Sequence, residues 1–336
     1  MAASFMRGTE RSTSVRRDVS VHRDSAVKHA LGVTTPSVRV LRHVAAVLEA
    51  GGPVVALESS VLAQGLPIPS NRDAAERMVG AVSRGGATPA ITAVVLGQAT
   101  LGLEPAELER FLTREGVRKV SSRDLGVAIA QKADGATTVA ASLCIAGATG
   151  TDVFATGGIG GVHRGAPFDE SADLVELART PMIVVCAGAK SILDLPATLE
   201  RLESLGVAVI GYRTNELPGF FTRTTGLTLT ARADSAAEIA AIYLAARSLG
   251  RRQATLVVQP PPADVALPQD LVDATVAEAL DDAQRAGVRG AATTPFLLGA
   301  MLRATEGRSL VANLGLLEAN AFLAAQIAVA LAAAKL

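Results

Sequence analysis

Lys190 follows a short apolar run, Met182 to Cys186, rich in β-branched residues, and then three small residues, Ala187, Gly188 and Ala189. A continuous apolar run of that length is the pattern of a strand buried on both faces. Small residues after it let the backbone turn tightly or approach a ligand. The spacing therefore puts an amine at the carboxyl end of a buried strand, where open α/β sheets bind their ligands. The chain has 32 lysines and arginines, of which only Lys28, Lys119, Lys132, Lys190 and Lys335 are lysines. Where positive charge suffices, this chain carries arginine. A retained lysine is enriched for work a guanidinium cannot do, above all attack by a free amine on a carbonyl. A surface lysine that has merely been kept is the plain alternative.

Three other polar features follow expected strand ends or lie in an expected strand. Glu58 ends the apolar run from Pro53, and it can serve as a proton donor or as a carboxylate holding loop amides. The glycine loop Gly157 to Gly165 is neither a Walker loop nor a dinucleotide fingerprint, because no Gly-Lys-Ser/Thr follows and the spacing is wrong. Its glycines suit close approach to an anion or a sugar, or a purely structural turn; His163 inside it either touches substrate or supports the loop. Asp169, Glu170 and Asp173 come next. Hard oxygen donors with little histidine or cysteine nearby suit a partly hydrated Mg²⁺ or Mn²⁺; acids at a helix start capped by Ser171 are the alternative. Lys119 lies in a short strand pattern, Val117 to Ser121. An amine and a carboxylic acid near a divalent ion point to Schiff-base chemistry on a carbonyl or a masked carbonyl, and a sugar is a masked carbonyl.

These groups need a scaffold that gathers strand ends. The pattern predicts strands at Pro53–Glu58, Ala90–Leu96, Val117–Ser121, Val153–Ala155, Met182–Cys186, Val207–Tyr212 and Ala254–Val258. Between them it predicts helices at Val38–Ala50, from a cap at Ser70 or Asn71, at Pro105–Glu115, Asp124–Ala133, from Thr137-Thr138, up to Ala178, from Ser191, and at Ser235–Arg247. The stretch Ser59–Ser70 reads as a loop, and helices at about 268–286, 295–305 and 309–334 close the chain. Alternating strands and helices mean an α/β fold: a largely parallel sheet covered by helices on both faces, as a single large domain.

Composition narrows the function. The chain is 49% hydrophobic, 19% charged and of formal net charge +0, without tryptophan, and its mean hydropathy is +0.34. Nucleic-acid binding is not expected, since no basic block occurs beyond the first 45 residues and aromatic stacking platforms are scarce. Near-zero charge fits a homo-oligomer. Cys144 and Cys186 lie in apolar runs and make neither a disulfide framework nor a zinc site. The apolar stretch Ala319–Ala334, broken by Gln326, reads as a terminal core helix and not a membrane span. Residues 1–36 are polar and lack the apolar core of a secretory signal; they read as a disordered tail or a start placed too early, ahead of a catalytic domain at 37–336, and the protein as cytoplasmic.

Laid side by side, these segments resemble the pseudouridine-5′-phosphate glycosidase family, also called indigoidine synthase A-like. The resemblance is carried by Val55-Ala-Leu-Glu-Ser-Ser60 with Gly65-Leu-Pro-Ile-Pro69 and Asn71, by Lys119-Val-Ser-Ser-Arg-Asp124, and by Gly135-Ala-Thr-Thr-Val139. It continues through Phe154 to Gly165, Ser171-Ala-Asp173, Val185 to Asp194, and Thr294-Pro-Phe-Leu-Leu298. It departs from the family pattern at Ala319, where a second asparagine is usual beside Asn320, at Ala291, where a lysine is usual, and in a short segment between Gly165 and Asp169.

The resemblance implies reversible cleavage of the C–C glycosidic bond of pseudouridine 5′-phosphate to uracil and ribose 5-phosphate. It implies Lys190 as the nucleophile that forms a covalent adduct at C1′, Glu58 as proton donor, and Asp169 as a ligand of Mn²⁺. Substrate contacts would fall to Lys119, Val139, Ser171, Ala172 and Asp173, with His163 and Asn320 beside them, in a homotrimer. A carbon leaving group has no lone pair to protonate, so the two-carboxylate scheme of ordinary glycosidases suits it poorly. Amine attack with ring opening instead puts nitrogen where it can push electrons. Schiff-base cleavage of another phosphorylated sugar or C-nucleoside, and a catalytically silent ligand-binding relative, are the competing readings.

Overall fold

The computed structural model describes residues 38–165, 168–288 and 293–335; the tail expected over 1–36 and the position of Ala291 lie outside them. In chain order the first elements are β1 (Arg39–Val40), α1 (Arg42–Glu49), β2 (Val54–Leu57), α2 (Ser70–Arg84), β3 (Thr88–Val95), β4 (Gln98–Leu101), α3 (Pro105–Thr113) and β5 (Val117–Val120). Then come α4 (Leu125–Ala130), β6 (Asp134–Thr137), α5 (Val139–Ala148), β7 (Val153–Ala155), α6 (Ala172–Leu177), β8 (Ile183–Cys186), α7 (Leu195–Ser204) and β9 (Ala208–Tyr212). β10 (Ala231–Ala233), α8 (Ala236–Ser248), β11 (Thr255–Val258), α9 (Gln269–Arg285), α10 (Thr293–Ala304) and α11 (Arg308–Lys335) complete the described residues.

Every residue of β2, β7, β8 and β11 is buried, as continuous apolar runs in a sheet covered on both faces must be. The strands pair in the order β1-β4-β3-β2-β7-β8-β11-β9-β10, with β6 also on β3 and β5 on β6. Among the described residues the pairings are parallel except β3 with β4 and β3 with β6. The chain steps from β2 to β3 in one direction through α2, and from β7 to β8 in the other through α6. Right-handed crossovers then place these two helices on opposite faces. On the α2 face, α11 lies across β2, β7 and β8 and packs against α2 and α8; on the other, α5 packs with α6. The winding reverses between β2 and β7, so their carboxyl ends border the crevice where such sheets bind ligands.

The α/β architecture and largely parallel sheet agree with the sequence reading; several boundaries do not. Val38–Ala50 opens with β1, whose Arg39 and Val40 pair with Thr100 and Leu101, before the helix starts. The Ser59–Ser70 loop contains a π-helical turn, Val61–Gly65. Neither Ser70 nor Asn71 caps α2. Pro69 holds that position, and Asn71 inside the helix donates to the carbonyls of Leu62 and Leu112, at 3.0 and 2.9 Å. Thr137 ends β6 and only Thr138 caps α5. Ser191 does not open a helix: α7 starts four residues later, where Asp194 accepts from the Ala197 amide at 3.0 Å. The short strands β4, β6 and β10 lack any long apolar run and escaped the pattern. α11 is apolar and long enough to cross a membrane, but 56% of its most apolar window is buried inside the protein, which makes it the expected core helix.

Gly188 has a φ of +89°, and a Cβ there would collide with the Pro218 carbonyl oxygen. Gly188→Ala is expected to cost at least about 1–3 kcal/mol of stability, the strain of a disfavoured backbone alone. A thermal melt identical to that of the parent protein would contradict this account of the turn before Lys190.

Candidate functional site

Glu58 stands immediately beyond β2, and its side chain is buried, at 5% exposure. A buried carboxyl needs partners. The Ser60 hydroxyl donates to Oε2 at 2.6 Å, and the Thr156 hydroxyl donates to Oε1 at 2.5 Å. Thr156 is the first residue beyond β7, so the adjacency of the two strands creates this contact. Beneath it, the Ser59 hydroxyl accepts from the Thr137 amide at 2.9 Å, and the Thr92 hydroxyl donates to the Leu57 carbonyl at 3.1 Å. The end of β2 is thereby fixed to β3 and to the last residue of β6, one position before the cap of α5.

Lys190 lies beyond β8 as expected. Its amide donates to the Ile159 carbonyl at 3.1 Å, and the Ala187 amide donates to the Gly157 carbonyl at 2.9 Å, so the glycine loop is strapped along the turn that carries the lysine. Lys119 arrives differently. It sits inside β5 in register with Ala136, which in turn faces Ala93 near the end of β3. The β5–β6 pair runs antiparallel to β3, so Lys119 reaches the rim from a satellite pair and not from a strand end.

Glu58, Lys119 and Lys190 border one cavity of about 360 Å³. Ser60, Gln64, Arg114 and Asn313 add polar side chains to its wall, and Phe220, Phe221, Leu298, Leu302 and Leu310 form an apolar side. Phe220 and Phe221 meet edge to face, with centroids 4.7 Å apart. Burial pushes the Lys119 ammonium below the ordinary lysine value and the Lys190 charge adds to the push, while Glu58 and Asp173 oppose it. By surface area Lys119 is exposed within β5, and solvent softens the push without reversing its direction. Burial pushes the Cys186 thiol up to about 12, and does the same to Cys144 with help from Glu176, so neither is a thiolate nucleophile near neutral pH.

The other expected site residues form the frame behind this wall. Asp173 is buried; its Oδ1 accepts from the Ala140 amide at 2.9 Å and its Oδ2 from the Gly160 amide at 2.8 Å. It thus ties the glycine loop to the first turn of α5, where Val139 is buried. A Cβ on Gly160 would collide with the Ser171 hydroxyl, so this glycine serves close packing. Ser171 caps α6, accepting from the Asp173 amide at 3.2 Å, with Ala172 next in the helix. Asn320 on α11 is 1% exposed. Its amide donates to the carbonyls of Thr156 and Gly157 at 2.8 and 3.3 Å, and its oxygen accepts from Gln259 at 2.8 Å. It holds the glycine loop from behind.

His163 and Asp169 meet at the far end of that loop. The His163 amide donates to the Asp169 carbonyl at 2.9 Å, and Nδ1 lies 3.5 Å from Oδ2. Glu170 is engaged by Arg201 at 2.9 Å. Among the described residues no cluster of three or more His, Cys, Asp or Glu gathers for a metal. The half-exposed Asp169 carboxylate, with His163 beside it, still fits a largely hydrated divalent ion, which needs only one or two protein oxygens.

Sequence reasoning did not single out Thr156, Ser60, Gln64, Arg114, the Phe220–Phe221 pair or Asn313. Thr156 carried a signal, since it is the polar residue between a buried strand and the glycine loop. The others come from turns and helices with no local mark of a site.

The profile of the family described as indigoidine synthase A like protein matches residues 43–330. A pseudouridine-5′-phosphate glycosidase of Gemmatimonas aurantiaca is 66% identical over 284 residues, which is 84% of this chain and 93% of that protein. One of Herpetosiphon aurantiacus is 53% identical over 283 residues, again 84% of this chain and 93% of its own length. Among solved structures, the prealnumycin C-glycosynthase AlnA in complex with ribulose 5-phosphate superposes with a TM-score of 0.83 at 37% identity, covering 89% of this chain and 98% of that one.

Asp173→Asn keeps the size of the side chain but turns one acceptor into a donor facing a backbone N–H. A buried donor left without an acceptor costs about 1–3 kcal/mol, so a lower melting temperature is expected. Parent-like stability would mean that Asp173 does not clamp the loop.

Proposed function

The chain belongs to the indigoidine synthase A-like family, and on that premise we propose that it reversibly cleaves the C–C glycosidic bond of pseudouridine 5′-phosphate to uracil and ribose 5-phosphate. The observation that carries the reading is the convergence of Glu58, Lys119 and Lys190, from three separate parts of the chain, on one cavity. Relatives up to 66% identical over most of their length bear the same activity in their names. That agreement, with the acid and the amine in place, disfavours both a different Schiff-base substrate and a silent ligand-binding relative.

In this reading the Lys190 amine attacks C1′. The N–C1′ bond forms, the C1′–O4′ bond breaks, and the ribose opens. Glu58, held in one orientation by Ser60 and Thr156, delivers a proton to C5 of the uracil ring. The nitrogen lone pair then drives cleavage of the C1′–C5 bond, uracil leaves, and the lysine-bound iminium is hydrolysed by water to ribose 5-phosphate. The apolar wall of Phe220, Phe221, Leu298 and Leu302 excludes water from the amine until the base departs.

Lys119 contacts the substrate directly from the cavity wall. Val139, Ser171, Ala172, Asp173, His163 and Asn320 belong to the same binding assembly as the frame of the glycine loop. Asp169 would hold one Mn²⁺ per subunit, and the ion would supply positive charge for a phosphorylated substrate. A cytoplasmic homotrimer is part of the proposal, and sedimentation equilibrium reads its stoichiometry.

Borohydride added to the protein with ribose 5-phosphate is expected to fix a reduced pentose-phosphate adduct on Lys190, seen by intact mass and peptide mapping. Lys190→Ala should lose both the adduct and uracil release, and Glu58→Gln should slow release by about 10²–10⁴-fold while still forming the adduct. An adduct on another lysine would move the site; none at all, with folded and Mn²⁺-loaded protein, would overturn the reading. Chelation is expected to suppress uracil release and added Mn²⁺ to restore it. If Asp169→Ala binds Mn²⁺ as tightly as the parent, by calorimetry, the ligand is wrongly assigned.

A further inference from the structure

We propose that Lys119 is a second catalytic amine, relaying the proton from the attacking Lys190 nitrogen to the ribose ring oxygen O4′. The inference rests on the reaction proposed above and assigns a step that it leaves open. When nitrogen binds C1′ and the C1′–O4′ bond breaks, one proton must leave the nitrogen and one must reach O4′. A separate proton must later reach C5 of the base.

Among the described residues, four ionisable side chains border the cavity: Glu58, Arg114, Lys119 and Lys190. Arg114 stays protonated, because a guanidinium does not give up its proton in proteins. Lys190 is the nucleophile. Glu58 is assigned to the later transfer to C5, and it is buried and held by two hydroxyls, which leaves it little freedom to serve O4′ as well. Lys119 is the remaining group. Its transfer balances without a co-reactant, since it accepts the proton from nitrogen and donates one to O4′, returning to its starting state.

Composition supports an amine here independently. With five lysines among 32 basic residues, the chain carries 32 − 5 = 27 arginines, and two of the five lysines border the same cavity. An anion clamp is better served by the arginine fork; a relay needs a group that can also be a base. The surroundings move Lys119 toward its free-base form relative to an ordinary lysine, since burial and the Lys190 charge outweigh the pull of Glu58 and Asp173.

The test compares kcat and KM for uracil release in the parent, Lys119→Arg and Lys119→Ala. A relay predicts that Lys119→Arg keeps a parent-like KM while kcat falls by about 10²–10⁴-fold. It also predicts that methylamine restores Lys119→Ala in proportion to its free-base concentration, whereas guanidine does not. Parent-like kcat in Lys119→Arg, or equal rescue by guanidine, would reduce Lys119 to a fixed charge and overturn the proposal. Should Lys119→Arg fail to fold in a thermal melt, the rescue series on Lys119→Ala decides alone. A parent enzyme that releases no uracil would instead sink the substrate reading. The relay is then judged by the rate of borohydride-trapped ribose 5-phosphate on Lys190, which Lys119→Arg and Lys119→Ala must slow; unchanged trapping refutes it.

Discussion

One contact holds the working end of this protein together: the Thr156 hydroxyl on the Glu58 carboxyl, at 2.5 Å across a separation of 98 residues. A buried carboxyl without donors costs several kcal/mol, so the ends of β2 and β7 must stay adjacent for Glu58 to remain where it is. Asn320 secures the same place from the helical side by holding the carbonyls of Thr156 and Gly157. The glycine loop is then fixed at its root, and Lys190, bonded to that loop through Ile159, inherits the position. Acid and amine are thus located by backbone and hydroxyl contacts, most of which lie behind the cavity wall.

The same frame explains why so many of the family-like residues lie behind the cavity wall. Asp173 spends both carboxylate oxygens on backbone amides of the glycine loop and α5, and Ser171 caps the helix that carries it. Such residues fix where the reactive groups stand. A short list of groups is left on the cavity itself, and their chemical types differ: two amines, a pinned acid and an apolar wall.

The mixed pairing of β3 gives the site its third side. Its first half runs beside β2 in the central parallel sheet, while its second half turns to β4 and β6 in antiparallel fashion. That departure carries β5, and Lys119 with it, over the carboxyl rim. A purely parallel sheet would have offered only strand-end loops.

The sequence alone determined the parallel α/β class, because continuous buried runs such as Ile183–Cys186 in β8 and Thr255–Val258 in β11, alternating with helical patterns, are local signals. Glu58 and Lys190 were legible for the same reason, each being the polar residue that ends or soon follows such a run. Strand order, the antiparallel turn of β3, the Thr156 hydroxyl on Glu58 and the retreat of Asn320 and Asp173 into the frame were left to the tertiary structure. The side-chain contacts among them join residues 33, 98 and 164 positions apart. Strands β4, β6 and β10 were illegible because Gln98–Leu101, Asp134–Thr137 and Ala231–Ala233 mix polar and small residues and carry no continuous apolar run, and only pairing with a neighbour makes them strands. Local pattern fixes which residues are apolar, reactive or turn-forming. Only the tertiary structure decides which of them meet, because a buried polar group takes whatever partner the packing brings to it.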